Sequence, residues 1–175
     1  MTARRQERNR VGPGSQFRSG IAPIALVLAS LANSLWQSPA PASTTERVVV
    51  NRYTGLAIEG FDPVGYFVDA GPVIGQEGCE ASQAGAVWRF RNEGNRAAFI
   101  AHPEIYGPQF GGYDPVDIAR GVTVAGNPRF WLISGRRLYL FGREQTRDAF
   151  SADAARLLQE ASQRWPALQQ ELTRY

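Results

Sequence analysis

Two short segments hold most of the side chains that could do chemistry: Gly60-Phe-Asp-Pro-Val-Gly-Tyr-Phe67 and His102-Pro-Glu-Ile-Tyr-Gly-Pro-Gln-Phe-Gly-Gly-Tyr-Asp-Pro115. Asp62 and Asp114 could serve as a carboxylate pair for acid–base work if the fold sets them about 5 to 9.5 Å apart across a cleft. Asp62, His102, Asp114 and Asp117 could hold a metal ion through one imidazole and several hard oxygens, a set that suits calcium or magnesium better than soft ions. Tyr66, Tyr106 and Tyr113, with Gln109 and the two aspartates, could line a small-ligand pocket, because aromatic walls with a few polar groups are the usual form of such sites.

Each option has a plainer structural reading. Asp114 ahead of a helical turn over 113–119 is a natural N-cap, and Asp117 would lie on the same face of that turn. His102 falls at a helix end, where its charge complements the C-terminal dipole. A lone imidazole seldom makes a metal site, and the tyrosines fit equally as core residues with one wet end. Elsewhere there is no second histidine, nucleophile elbow, phosphate-binding loop or cysteine pair. The expectation is a protein without catalysis and with no identified cofactor, a bound metal ion being the one option left.

The elements that must position these residues follow from period and punctuation. Ala86 to Arg91 alternates, with Trp88 and Phe90 on one face, as a half-buried strand does. Asn92 can cap a helix over 93–101 that buries Phe99 and stops before Pro103. Arg129 to Ser134 and Arg137 to Phe141 read as a hairpin about Ser134-Gly135, with Trp131, Ile133, Leu138 and Leu140 inward. From Asp153 the chain is helical, with Ala154, Leu158, Ala161, Trp165, Leu168 and Leu172 on one stripe, and Pro166 is expected to kink or split it near Arg164. Val48 to Val50 could add a strand. No internal repeat is apparent. The composite is an α+β domain, a small antiparallel sheet with a short central helix and C-terminal helices packed on it.

Charge and the leading residues bound the setting. All 19 basic residues are arginines, and five of them precede position 19. An uncharged run over 21–35 follows, then Ser38-Pro-Ala-Pro-Ala-Ser43, which together read as an export signal cleaved after Ala42. The alternative is an uncleaved anchor, although the run is short of the roughly 20 apolar residues a span needs. Residues 43–52 are then a lead-in to one domain over 53–175. Cleavage leaves 14 arginines against 15 acids, so the high pI belongs to the leader. Without a basic stripe nucleic acid is excluded as a partner. A small ligand or a partner protein in the periplasm or outside the cell remains, with membrane contact only through an uncleaved leader. The single Cys79 can form no internal disulfide, so packing alone must hold the fold.

Five ordered segments resemble the exported YHS domain family over about residues 53–165: Asp62-Pro-Val-Gly-Tyr-Phe67, Gly85-x-x-Trp-x-Phe90, Asn95-x-x-x-Phe99, Pro103-x-x-Tyr-x-Pro-Gln-Phe-Gly-Gly-Tyr113 and Gly135-x-x-Leu-Tyr-Leu140. The resemblance implies an exported, single-domain protein, tied to metal handling chiefly through cysteine-bearing relatives. In exported members the Gly-Gly-Tyr is usually followed by Cys, whereas this chain has Asp114. A carboxylate there replaces a soft donor with a hard one, which argues against carrying over a copper role.

Overall fold

The computed structural model describes residues 47–172. The leader, the apolar run and the proposed cleavage position lie outside the described residues. Strand β1 (Gln76–Gln83) pairs antiparallel with β2 (Ala86–Phe90), and β3 (Asn127–Ser134) pairs antiparallel with β4 (Arg137–Phe141). Helices α1 (Gly65–Val68), α2 (Glu93–Ala101), α3 (Pro103–Tyr106), α4 (Pro115–Ala119), α5 (Glu144–Ala152) and α6 (Ala154–Leu172) pack around the two hairpins. The class is α+β, but with two separate two-stranded sheets in place of one.

The hairpins are two copies of one design. In the first, Gln76 opposes Phe90, a bulge follows, and pairing resumes at Glu80 and Arg89. In the second, Asn127 opposes Phe141, a bulge follows, and pairing resumes at Trp131 and Leu140. Every one of these positions moves by 51 residues (76 to 127, 90 to 141). The same shift carries α2 onto α5 (93 to 144), and the corner residue His102 onto Asp153. It also carries the Phe90–Phe99 ring pair onto Phe141–Phe150, at 5.3 and 5.2 Å. The expectation of no repeat is therefore wrong. Buried positions repeat by size and shape, such as Trp88 and Tyr139, more than by identity, so the duplication is faint in letters.

Each copy opens on a left-handed loop: Ile58, Glu59 and Gly60 have φ of 42, 56 and 81°, and Phe110, Gly111 and Gly112 have 53, 63 and 90°. Such angles cost a branched or aromatic residue about 1 kcal/mol or more each. The loop recurs in both copies because it lets the chain turn from a bridge against the hairpin into the aspartate that follows. The bridges are Leu56 to Val87 and Pro108 to Leu138, both parallel. Val48 to Val50 does not form the strand expected of it. Val49 instead bonds both loops, donating to Gly111 O (2.8 Å) and accepting from Ile58 N (3.4 Å), while Val50 makes a single bridge to Ala57.

The second hairpin lies between two apolar clusters. Leu138 and Leu140, with Trp131 and Ile133, face the cluster built on Tyr66, Trp88, Phe90 and Phe99. That is the inward set expected from sequence. Tyr139 and Phe141, with Phe130 and Leu132, face a second cluster with Val116, Ile118, Phe150, Leu157 and Ala161. Burial on both faces explains why these strands read as nearly unbroken apolar runs. The turn residues are Gly135 and Arg136, φ 57 and 61°, one position later than expected. The predicted stripe of α6 packs on the second cluster, and Pro166 does not split the helix. None of the described helices is long and apolar enough to cross a membrane.

Candidate functional site

Asp62 and Asp114 are the most buried carboxylates of the domain, both at 0 % exposure. Each follows a left-handed loop and precedes a proline, which holds it extended. Asp62 Oδ1 accepts from the amides of Val64 (2.8 Å) and Gly65 (3.3 Å). Its Oδ2 accepts from the Arg91 amide (2.8 Å) and from Asn95 Nδ2 (2.6 Å). Asp114 repeats the pattern: Oδ1 accepts from the Val116 amide (2.9 Å), and Oδ2 from the Gly142 amide (2.8 Å) and Thr146 Oγ1 (2.5 Å). One oxygen caps the short helix and the other clasps the end of the hairpin to the next helix. The expected cap at Asp114 is present, and a second function for the same group, tying β4 to α5, accompanies it.

This accounting bears directly on chemistry. Asp62 has four donors for its roughly four lone-pair sites and Asp114 has three, and with both side chains at 0 % exposure neither carboxylate is presented to a substrate or a metal from solvent. Asn95 and Thr146 complete the clasps; from sequence Asn95 stood only in a segment of the family resemblance, Thr146 was not named, and neither was a site candidate. The signal was present: Gly60-Phe-Asp-Pro-Val64 and Asn95-x-x-x-Phe99 recur as Gly112-Tyr-Asp-Pro-Val116 and Thr146-x-x-x-Phe150. Comparing the chain with itself at a shift of 51 or 52 finds them.

The other candidates do not meet. Asp117 is buried and bridged by Arg143 (2.9 Å to each oxygen) and by Arg120 (3.1 Å), so its charge is already matched. His102 caps the end of α2 with its ring 59 % exposed and 3.5 Å from Glu104. His102, Asp114 and Asp117 thus do not converge, and among the described residues no group of three or more His, Cys, Asp and Glu could hold a metal ion. Tyr66 belongs to the first cluster and donates its hydroxyl to Pro128 O (2.8 Å), which ties the halves together. Burial, with smaller contributions from Glu59 and Asp62, pushes its phenol well above the usual range and keeps that donor protonated. Tyr106 stacks edge-on against Phe67 at 5.3 Å, Gln109 sits half-buried in the second left-handed loop, and Tyr113 lies in the second cluster 5.8 Å from Trp165.

Tyr113 also borders a groove. It has a volume of about 270 Å³ and is lined by Val48, Val49, Val50, Arg52, Tyr113, Thr123, Ala125 and Leu172. Five of these eight residues are aliphatic, but the surface they turn to the groove is more polar than apolar, with Arg52, Thr123 and Tyr113 as the polar side chains.

Cys79 is buried on β1 and donates to Glu93 Oε1 at 3.3 Å. Burial first, then the bond to Glu93, raises its pKa. A thiol held protonated is a poor nucleophile. Alkylation by iodoacetamide should therefore lag a free thiol at pH 8 and accelerate only at pH above the ordinary thiol range. Glu93→Gln should move that pH–rate profile toward lower pH, and an unmoved profile would show the carboxylate to be without influence.

Neither protein-family models nor curated proteins nor solved structures give any match to this chain.

Proposed function

We propose that the chain is an exported YHS-type module that works by binding, without catalysis, and that its ligand site is the groove beside Tyr113. One observation carries the reading. Asp62 and Asp114, the carboxylates singled out from the sequence for acid–base or metal chemistry, are consumed by equivalent internal clasps. The two aspartates of the resembling segments are framework, so the surface around them, Tyr113 included, is left to carry recognition. The groove supports this by its mixture of aliphatic side chains with a predominantly polar surface, at a volume just below the roughly 300 Å³ where small-molecule sites begin. A compact ligand that carries polar groups fits that chemistry.

The duplication supplies a clean test. Ala125 corresponds to Ile74 of the first copy, since both make the bridge that follows the aspartate loop, to Tyr113 and Phe61 respectively. Ile74 shows that the backbone accepts isoleucine there, 59 % exposed. Ala125→Ile should fill the groove and leave the melting curve in place. Native mass spectrometry of protein purified from its own compartment should reveal a small-molecule adduct that Ala125→Ile abolishes. A stoichiometric metal ion, or an adduct indifferent to Ala125→Ile, overturns the proposal.

A further inference from the structure

The groove lies where the two copies differ in a patterned way. Their framework is kept letter for letter: Asp62-Pro-Val64 recurs as Asp114-Pro-Val116, and Gly75 recurs as Gly126. Val73 and Val124 also correspond, because their carbonyls accept from the Asp62 amide (2.7 Å) and the Asp114 amide (2.9 Å). Between these fixed points, Phe61, Pro72 and Ile74 of the first copy become Tyr113, Thr123 and Ala125 of the second. All three of the latter line the groove. Two side chains without a polar atom have given way to hydroxyl bearers, and a large one to a small one. Backbone needs do not explain the change, since the same bridge and the same bonds form in both copies. Room and polarity were added together at one place while the frame around it stayed the same.

Charge complementarity names the occupant. Among the described residues that line the groove, Arg52 carries the only formal charge. Asp114, beside Tyr113, is buried under three donors, and Glu171, beside Leu172, is exposed and outside the lining. The groove therefore offers one positive charge and two hydroxyls. Arg52 and Tyr113 each also interact elsewhere in the molecule. A guanidinium has five N–H donors in a planar fork, however, so one engagement leaves others for a bidentate carboxylate, and a phenol hydroxyl both donates and accepts. One fixed charge balances a monoanion, whereas a phosphate monoester brings about −1.5 to −2.

We propose that the groove takes a small organic monocarboxylate, its carboxylate paired with Arg52 and its other polar atoms bonded by Tyr113 and Thr123. The assignment rests on the groove being the ligand site. Val49 and Leu172 supply apolar surface for the body that carries the carboxylate.

Benzoate, benzamide and inorganic phosphate, each titrated into the full chain at constant ionic strength, separate charge from shape. In calorimetric titrations benzoate should bind roughly tenfold or more tighter than benzamide, as expected for hydrogen bonds to a charged group. Arg52 is exposed, so its variants should keep the parent's melting curve. Arg52→Gln should remove the preference for benzoate and leave benzamide binding unchanged. Arg52→Lys should restore part of it, since it keeps the charge without the fork. Ala125→Ile should abolish binding of both aromatic probes. Benzoate bound no tighter than benzamide, a preference that survives Arg52→Gln, or phosphate bound tighter than benzoate overturns the carboxylate assignment. If Ala125→Ile still blocks both aromatic probes in such a case, the groove stands and only the ligand class falls. Failure of both aromatic probes to bind also overturns the assignment, and the co-purified adduct with its response to Ala125→Ile then judges the groove separately.

Discussion

Asp62→Ala is expected to cost about 3–5 kcal/mol, several orphaned buried donors at about 1–3 kcal/mol each offset in part by relaxation. The loss leaves three backbone amides, of Val64, Gly65 and Arg91, and the Asn95 side-chain amide without acceptors in a site closed to water. Orphaned buried donors cost about 1–3 kcal/mol each before relaxation. Domains of this size have about 5–15 kcal/mol in all, so the variant should melt far below the parent or fail to accumulate. Asp114→Ala should behave alike, because Thr146 and the amides of Val116 and Gly142 are stranded in the same way. Thr146→Val takes one donor from that clasp and should cost about 1 kcal/mol. Urea midpoints with unchanged slopes would rank the three. A stable Asp62→Ala domain that had lost a biological activity would instead assign the carboxylate to function.

That ranking matters because the same two residues are the ones a reader of the sequence would choose as catalysts. Gly, Pro, aromatic and Asp in one short stretch is the composition of an active-site loop and equally of a strained turn fastened by a carboxylate. Composition does not separate them. What separates them is which donors surround the oxygens, and those donors come from positions about 30 residues away (Arg91 and Asn95 for Asp62, Gly142 and Thr146 for Asp114). Local patterns were legible: β2, the Asn92 cap with its bond from the Asn95 amide (2.9 Å) and the α6 stripe stand where period and capping put them, and the second hairpin does so apart from its turn, one position later. Two features escaped for physical reasons. The sheet is split in two because the inner strand of each hairpin is bridged by the segment ahead of its own loop, Leu56 to Val87 and Pro108 to Leu138, a partnering that no alternation encodes. The duplication hides because core positions conserve volume while their letters drift, as from Trp88 to Tyr139 or Asn95 to Thr146.

The duplication also isolates a backbone constraint whose breach should be nearly as costly. Gly75→Ala is expected to cost about 3 kcal/mol, the upper end for forcing an extra carbon into a packed interior. A Cβ at Gly75 would lie 2.5 Å from the carbonyl carbon of Arg89 and 2.7 Å from the Phe90 amide nitrogen. Both are backbone atoms of β2, so no rotamer change relieves the contact, and the strand carrying Trp88 and Phe90 must shift. Gly126 occupies the corresponding place, where a Cβ would meet Leu140 Cβ and Gly112 O at 2.6 Å each. In both copies the glycine amide bonds to the loop glycine, Gly75 N to Gly60 O and Gly126 N to Gly112 O, at 2.9 Å. The chain thus passes directly under the hairpin at the point where the bulge begins. Gly78, three residues along β1, is the control, with nothing within 4 Å of its Cβ position. Gly78→Ala should be neutral or stabilise by about 0.4–1 kcal/mol through the unfolded chain. Equal losses at Gly75 and Gly78 in thermal melts would mean that the close approach under β2 is not what demands glycine.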